Sequence, residues 1–123
     1  MEYIHTDEAP KAIGPYSQAI KIGDFIFTSG QIALTPDGVM REGDIEVQTT
    51  QVLTNLKNVL EEAGSSLDKV IKTTIFLANM DDFVKVNEIY AKFFDSHKPA
   101  RSTVAVKTLP KNALIEIEAI AII

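Results

Sequence analysis

Val52-Leu53-Thr54-Asn55-Leu56-Lys57-Asn58-Val59-Leu60-Glu61-Glu62-Ala63-Gly64 is the stretch in which the chain changes period. Val52, Leu53, Leu56, Val59, Leu60 and Ala63 recur at the i, i+3/i+4 spacing of one helix face, and Lys57, Asn58, Glu61 and Glu62 fall mainly opposite. Asp44 upstream is a candidate N-cap, and Gly64 can take the left-handed conformation that ends a helix. On the N-terminal side the period is shorter. Ala19–Ile22 and Phe25–Ile32 flank Gly23-Asp24, a glycine-first pair suited to a tight hairpin, and Pro36-Asp37-Gly38 closes a second turn. On the C-terminal side Val70–Leu77 is dense in β-branched and aromatic residues, the composition of a central strand. Asn79 then offers a second N-cap, and Phe83, Val86, Tyr90 and Phe93 follow at helical spacing. Beyond Pro99, Ser102–Thr108 and Leu114–Ile122 read as strands separated by 109–113.

The predicted order is β-β-β-α-β-α-β-β in one domain over residues 1–123, an α+β fold with a mixed β-sheet and two helices on a single face. Leu114–Ile123 is too apolar for a strand with one solvated face, and two helices cannot cover six strands on both sides. The uncovered face is therefore expected to pack against other copies of the chain.

Composition narrows the chemistry. With 123 residues, 46% hydrophobic and 24% charged, the chain has the make-up of a single globular domain with one core. It has no cysteine, so disulfides, thiolate nucleophiles and iron–sulfur ligands are excluded, and only His5 and His97 are present as histidines. A net charge of −5 argues against nucleic acid as a primary partner. The N-terminus reads neither as a secretory signal nor as a transit peptide, and no window suits a membrane span, so a cytoplasmic location is expected. No GxGxxG, Walker, HExxH or GxSxG motif occurs.

Two places carry candidate chemistry. In His97-Lys98-Pro99-Ala100-Arg101-Ser102-Thr103, Pro99 marks the start of a strand and Arg101 stands where its planar fork can grip a carboxylate, with Thr103 on the same face. Composition alone favours a solvated arginine there. Glu116 and Glu118 share a strand face backed by Ile115, Ile117 and Ala119, either as a carboxylate with a raised pKa or as two exposed edge residues. The register across Pro110 decides whether Glu116 faces the same way as Arg101, and an odd slip separates them. Tyr16 is a positioned donor or an amphipathic cover, and Ser29-Gly30 inside an apolar strand marks a bulge or a close approach to a ligand. Asn87 in a helix reads as a surface residue, and His97 as an exposed cation at a helix C-terminus.

Pro99-Ala100-Arg101-Ser102 followed by Val104, Lys107, Leu109 and Ile115-Glu116-Ile117 resembles the signature of the RidA/YjgF family of enamine/imine deaminases. Gly14-Pro15-Tyr16-Ser17-Gln18-Ala19, Ser29-Gly30-Gln31, Asn55-Leu56 and Val86-Asn87-Glu88-Ile89-Tyr90 are similar to the same family, and the resemblance spans the chain. It implies a chorismate-mutase-like fold and a homotrimer with ligand clefts between subunits. It also implies cofactor-free hydrolysis of 2-iminopropanoate and 2-iminobutanoate to 2-oxo acids and ammonia. By position, Arg101 would anchor the carboxylate and Glu116 would orient the attacking water. Tyr16, Ser29, Gly30, Asn87 and Thr103 would complete the substrate-binding cleft. Many members carry cysteine where this chain has Thr103, so no thiol role is available here, whereas a main-chain contact survives. Two other roles claimed within the family follow as alternatives. One is a small-carboxylate-binding module that regulates a partner protein. The other, an endoribonuclease or translation inhibitor, is disfavoured by the acidic charge and the absence of a basic, aromatic-interleaved stripe.

Overall fold

The computed structural model describes residues 1–123, and its longest helix begins where the sequence period changes. The Asp44 carboxylate accepts the Val47 amide at 3.0 Å and opens α1 (Ile45–Glu62). At the far end Gly64 takes φ +87°, and the amides of Gly64 and Ser65 donate to the carbonyls of Glu61 and Leu60. This Schellman ending requires a residue that tolerates positive φ. Val52, Leu53, Leu56, Val59 and Leu60 turn inward and are buried.

The strands are β1 (Glu2–Ile4), β2 (Ala19–Ile22), β3 (Phe25–Thr28), β4 (Val70–Leu77), β5 (Ala100–Ala105) and β6 (Ile115–Ile122), with α2 (Phe83–Phe94) between β4 and β5. They form one mixed sheet in the order β1-β2-β3-β6-β4-β5, in which only β4 and β5 run parallel. The connection from β4 through α2 to β5 is the crossover that a parallel pair demands. Both helices cover one face. Their core joins Val86, Tyr90 and Phe94 of α2 to Ile26, Ile75, Leu77, Ile115 and Ile117 of the sheet. No helix is long and apolar enough to cross a membrane.

The element order is the expected one, but individual boundaries moved. The segment after Pro36-Asp37-Gly38 stays out of the sheet: it folds back locally through Thr35, Val39 and the single bridge Leu34–Met40. The edge of β2 is covered instead by β1, held there by Gln18. The buried Gln18 amide donates to the carbonyls of Pro10 and Thr6 at 2.8 and 3.1 Å and accepts the Thr6 amide at 2.7 Å. β3 ends at Thr28, and the chain rejoins β6 only at Gln31, which exchanges both backbone bonds with Ile117. Asn79 caps only the short turn Met80–Asp82 by accepting the Asp81 amide at 2.9 Å, so α2 starts later, at Phe83. His97 is not an exposed cation: it is half-buried, and its Nε2 lies 2.6 Å from the Val70 carbonyl.

The side of the sheet away from the helices carries exposed Tyr3, Ile22, Phe25, Phe27 and Ile122. Five large apolar side chains in water on contiguous strands form the patch that the C-terminal composition foretells.

Candidate functional site

Residues paired across a ladder project to the same side of a sheet. Arg101 stands opposite Thr73 on β4, and Thr73 stands opposite Ala119 on β6. Ala119 is buried beneath the helices, so Arg101 projects to the helix side. Glu116 lies three positions from Ala119 and stands opposite Phe76, so it projects to the open side. The odd slip is therefore the one realised: within one chain, Arg101 and Glu116 occupy opposite faces. The predicted residues gather into two separate groups.

The first group surrounds Glu116. Tyr16, Ser29, Gly30 and Glu116 line one cavity of about 440 Å³, together with Lys11 and Lys111. The backbone is pinned on both sides of Gly30. The Ser29 amide donates to the Gln18 carbonyl at 2.9 Å, its hydroxyl donates to the Ser17 carbonyl at 2.5 Å, and the Gln31 amide donates to the Ile117 carbonyl at 2.9 Å. The Asn55 amide reaches from α1 to the Leu34 carbonyl at 2.8 Å and fixes the chain that follows. The carboxyl of Glu116 lies directly against Gly30: a Cβ at that position would stand 2.8 Å from the carboxyl carbon and 2.9 Å from Cγ. Burial raises the Glu116 pKa above the ordinary carboxylate range, and the negative charge of Glu118 adds to the effect. A half-buried carboxyl of this kind holds its proton to higher pH than an ordinary glutamate, which suits it to proton exchange.

Glycine is thus required at position 30 by space and not by φ. Gly30→Ala is expected to displace the Glu116 carboxyl while the sheet stays folded. Any proton transfer through Glu116 should slow by about tenfold to a hundredfold, with an unchanged circular dichroism spectrum as the check on fold.

The second group surrounds Arg101. Asn87 and Arg101 line a cavity of about 530 Å³ with Tyr90, His97 and Lys98. Arg101 Nη1 donates to the Asn87 side-chain oxygen at 2.7 Å. The guanidinium carbon lies 4.9 Å from the Tyr90 ring centre and 5.2 Å from that of Phe83. Asn87 is therefore more than the surface residue its helical position suggests. With one nitrogen committed to Asn87, the remaining N–H groups of the exposed guanidinium stay free for an anion. Thr103 shares this face by alternation and is half-buried opposite Ile75, but it lines neither cavity.

Sequence reasoning gave no part in the site to the residues that hold these groups in place: Gln18, Asn55, Gln48, Thr73 and Phe83. The signal of the four polar ones is polarity at a buried position. Gln18, Asn55, Gln48 and Thr73 are all buried, and every buried side-chain nitrogen or oxygen has a partner. Gln48, for example, accepts the Leu114 amide at 2.9 Å and sets the start of β6. Nowhere do three His, Asp or Glu side chains converge as a metal-binding group.

A family model described as Endoribonuclease L-PSP matches residues 6–123. A RutC family protein of Pyrococcus horikoshii is 58% identical over 98% of this chain and 96% of its own. Reactive Intermediate Deaminase A of Arabidopsis thaliana, a chloroplastic protein, is 50% identical over 98% of this chain and 65% of its own. AldR of Lactococcus lactis, whose name marks it as a proposed regulator, is 52% identical over 98% and 97%. Among solved structures, one from Thermotoga maritima superposes with a TM-score of 0.98 at 52% identity, covering 100% of this chain and 98% of that one. The structure of Escherichia coli TdcF with bound serine gives 0.95 at 42% identity, covering 100% and 99%.

Proposed function

This chain belongs to the endoribonuclease L-PSP family, in which one plant relative is named a reactive intermediate deaminase, and on that footing we propose that it hydrolyses reactive 2-imino acids to 2-oxo acids and ammonia. The substrates would be the size of 2-iminopropanoate and 2-iminobutanoate. The observation that carries the reading is the pair of complementary half-sites. One holds a guanidinium with free donors, and the other holds a carboxyl raised in pKa against a glycine.

The two halves suit this chemistry. Arg101 would take the substrate carboxylate in a charge-assisted, two-pronged contact. The protonated imine carbon is already electrophilic. Water adds to it and passes a proton to the Glu116 carboxylate. That proton is returned to nitrogen, the C–N bond breaks with its electron pair leaving as ammonia, and the hydroxyl proton is released as the carbonyl forms. Tyr16, Ser29 and Gly30 would bound the water side of the cleft, and Asn87 would hold the anchor. A bound serine in TdcF supports a ligand carrying a small amino-acid carboxylate.

Since one chain presents the halves on opposite faces, the proposal requires a cleft closed between copies. The homotrimer implied by the sequence resemblance meets that requirement, and the exposed apolar sheet face gives the copies a surface to share. A cytoplasmic location, beside enzymes that release such imines, belongs to the same proposal. The regulator-named AldR favours a second reading, in which the Arg101 group senses a small carboxylate and acts on a partner protein. The family description also names endoribonuclease activity, to which the net charge of −5 is poorly matched.

The test is a coupled assay with a pyridoxal-phosphate-dependent threonine dehydratase, with semicarbazide trapping free imine. The protein should divert flux from trapped imine to 2-oxo acid. Binding of 2-oxo acids without any diversion would select the sensor reading. Mixing unfolded Arg101→Ala and Glu116→Gln chains and refolding them together should restore activity that neither variant has alone. No restoration by correctly assembled mixed oligomers would overturn a site composed between copies.

A further inference from the structure

The guanidinium of Arg101 is tied to its own backbone through a closed chain of contacts. Arg101 stands directly opposite Thr73 in the β4–β5 ladder. The Thr73 hydroxyl is buried and lies 2.7 Å from the Tyr90 hydroxyl. The Tyr90 ring lies 4.9 Å from the guanidinium carbon, which closes the circuit on Arg101. Phe83 and Asn87 complete the cradle from the same stripe of α2, at i, i+4 and i+7 along the helix.

Each link has a distinct physical role. An arginine on an edge strand, exposed as this one is, ordinarily samples many rotamers, and ordering it on ligand binding costs conformational entropy. An aromatic face near a guanidinium attracts it through the ring quadrupole and favours one plane. That plane is useful only if the ring is itself fixed, and Thr73 fixes it. Burial pushes the Tyr90 phenol upward in pKa, against the opposing effects of Thr73 and Arg101, so the phenol stays neutral and keeps a proton for this bond.

We infer that Tyr90, locked by Thr73, is a positioning residue that pre-orients the Arg101 guanidinium for carboxylate recognition. The inference rests on the reading of Arg101 as the carboxylate anchor. It adds that anchor strength is set by an aromatic residue acting through the guanidinium. Because the cradle acts on a carboxylate present in both ground and transition states, its loss should appear in KM and leave kcat nearly unchanged.

Tyr90→Leu, Tyr90→Phe and the pair Thr73→Val/Tyr90→Phe test it. The pair replaces both hydroxyl partners together, so no buried polar atom is stranded. Calorimetric titration with 2-oxobutanoate should show about tenfold weaker binding by Tyr90→Leu, with KM raised in step, and a smaller loss by Tyr90→Phe and by the pair, which keep the ring but lose the hydroxyl contact that locks it. Isotope-labelled NMR of the Arg101 side chain, without ligand, should show slow rotation about Nε–Cζ in the wild type and faster rotation in Tyr90→Leu. Unchanged affinity and rotation in folded Tyr90→Leu would overturn the inference, as would loss of thermal stability accompanied by a fall in kcat alone. A wild type that binds no 2-oxo acid, yet loosens Arg101 in Tyr90→Leu, would instead sink the deaminase reading and leave the cradle standing.

Discussion

Arg101→Ala is expected to lower kcat/KM for 2-iminobutanoate by roughly a hundredfold, the scale of losing charge-assisted hydrogen bonds to a ligand. Stability should be nearly unaffected, because the side chain is exposed at the edge of the sheet. Arg101→Lys should not restore activity. An ammonium is a point charge without a planar fork, and it cannot both donate to the Asn87 oxygen and present a two-pronged edge. Steady-state kinetics in the coupled dehydratase assay, with melting temperatures as control, decide the matter. Full activity in folded Arg101→Ala would remove the anchor role and the half-site built around it.

Glu116→Gln is expected to cost about 10²–10⁴-fold in kcat, the usual contribution of a positioned general base. Its pH behaviour is a second readout. The carboxyl is raised by burial first and by Glu118 second, so wild-type activity should climb with pH along a limb lying above the ordinary glutamate range. Glu118→Gln removes one of the two causes and should move that limb to lower pH. Stability follows with the opposite sense to an ion-paired carboxylate. A group whose pKa is higher in the folded than in the unfolded chain binds its proton more tightly when folded. Stability is therefore lost as pH rises from the ordinary carboxylate value to the raised one. Glu116→Gln should flatten that fall when melting temperature is followed from acid to neutral pH. A Glu116→Gln variant with the wild-type activity limb would show that another group carries the proton.

The helices and the central strand were legible because periodicity and capping are local. Asp44, the apolar stripe from Val52 to Leu60 and Gly64 each act over one or two turns, and the structure uses all of them. The run Val70–Leu77 became a strand with those limits. What escaped was every feature set by a distant partner. The first strand, Glu2–Ile4, is too short to announce itself and depends on Gln18 gripping Thr6 and Pro10. His97 looks like a solvated helix-end cation until its ring meets the carbonyl of Val70, 27 positions away.

The candidate site divides in the same way. Arg101, Glu116, Asn87, Tyr16, Ser29 and Gly30 could be singled out from the sequence because their residue types and motif spacing belong to a recognisable family pattern. That pattern also identified the family itself. Their arrangement could not be read there. Whether two side chains share a sheet face depends on register, and one residue of slip reverses the answer. The pairing of Thr73 with both Arg101 and Ala119 sends Arg101 to the helices and Glu116 to the open face. The sequence by itself determined the helices, the central strand, the family and the candidate site residues, because these depend on neighbours along the chain. Only the tertiary structure divided those groups into two halves and set Tyr90 between Thr73 and Arg101, because both outcomes depend on which strands pair and in what register.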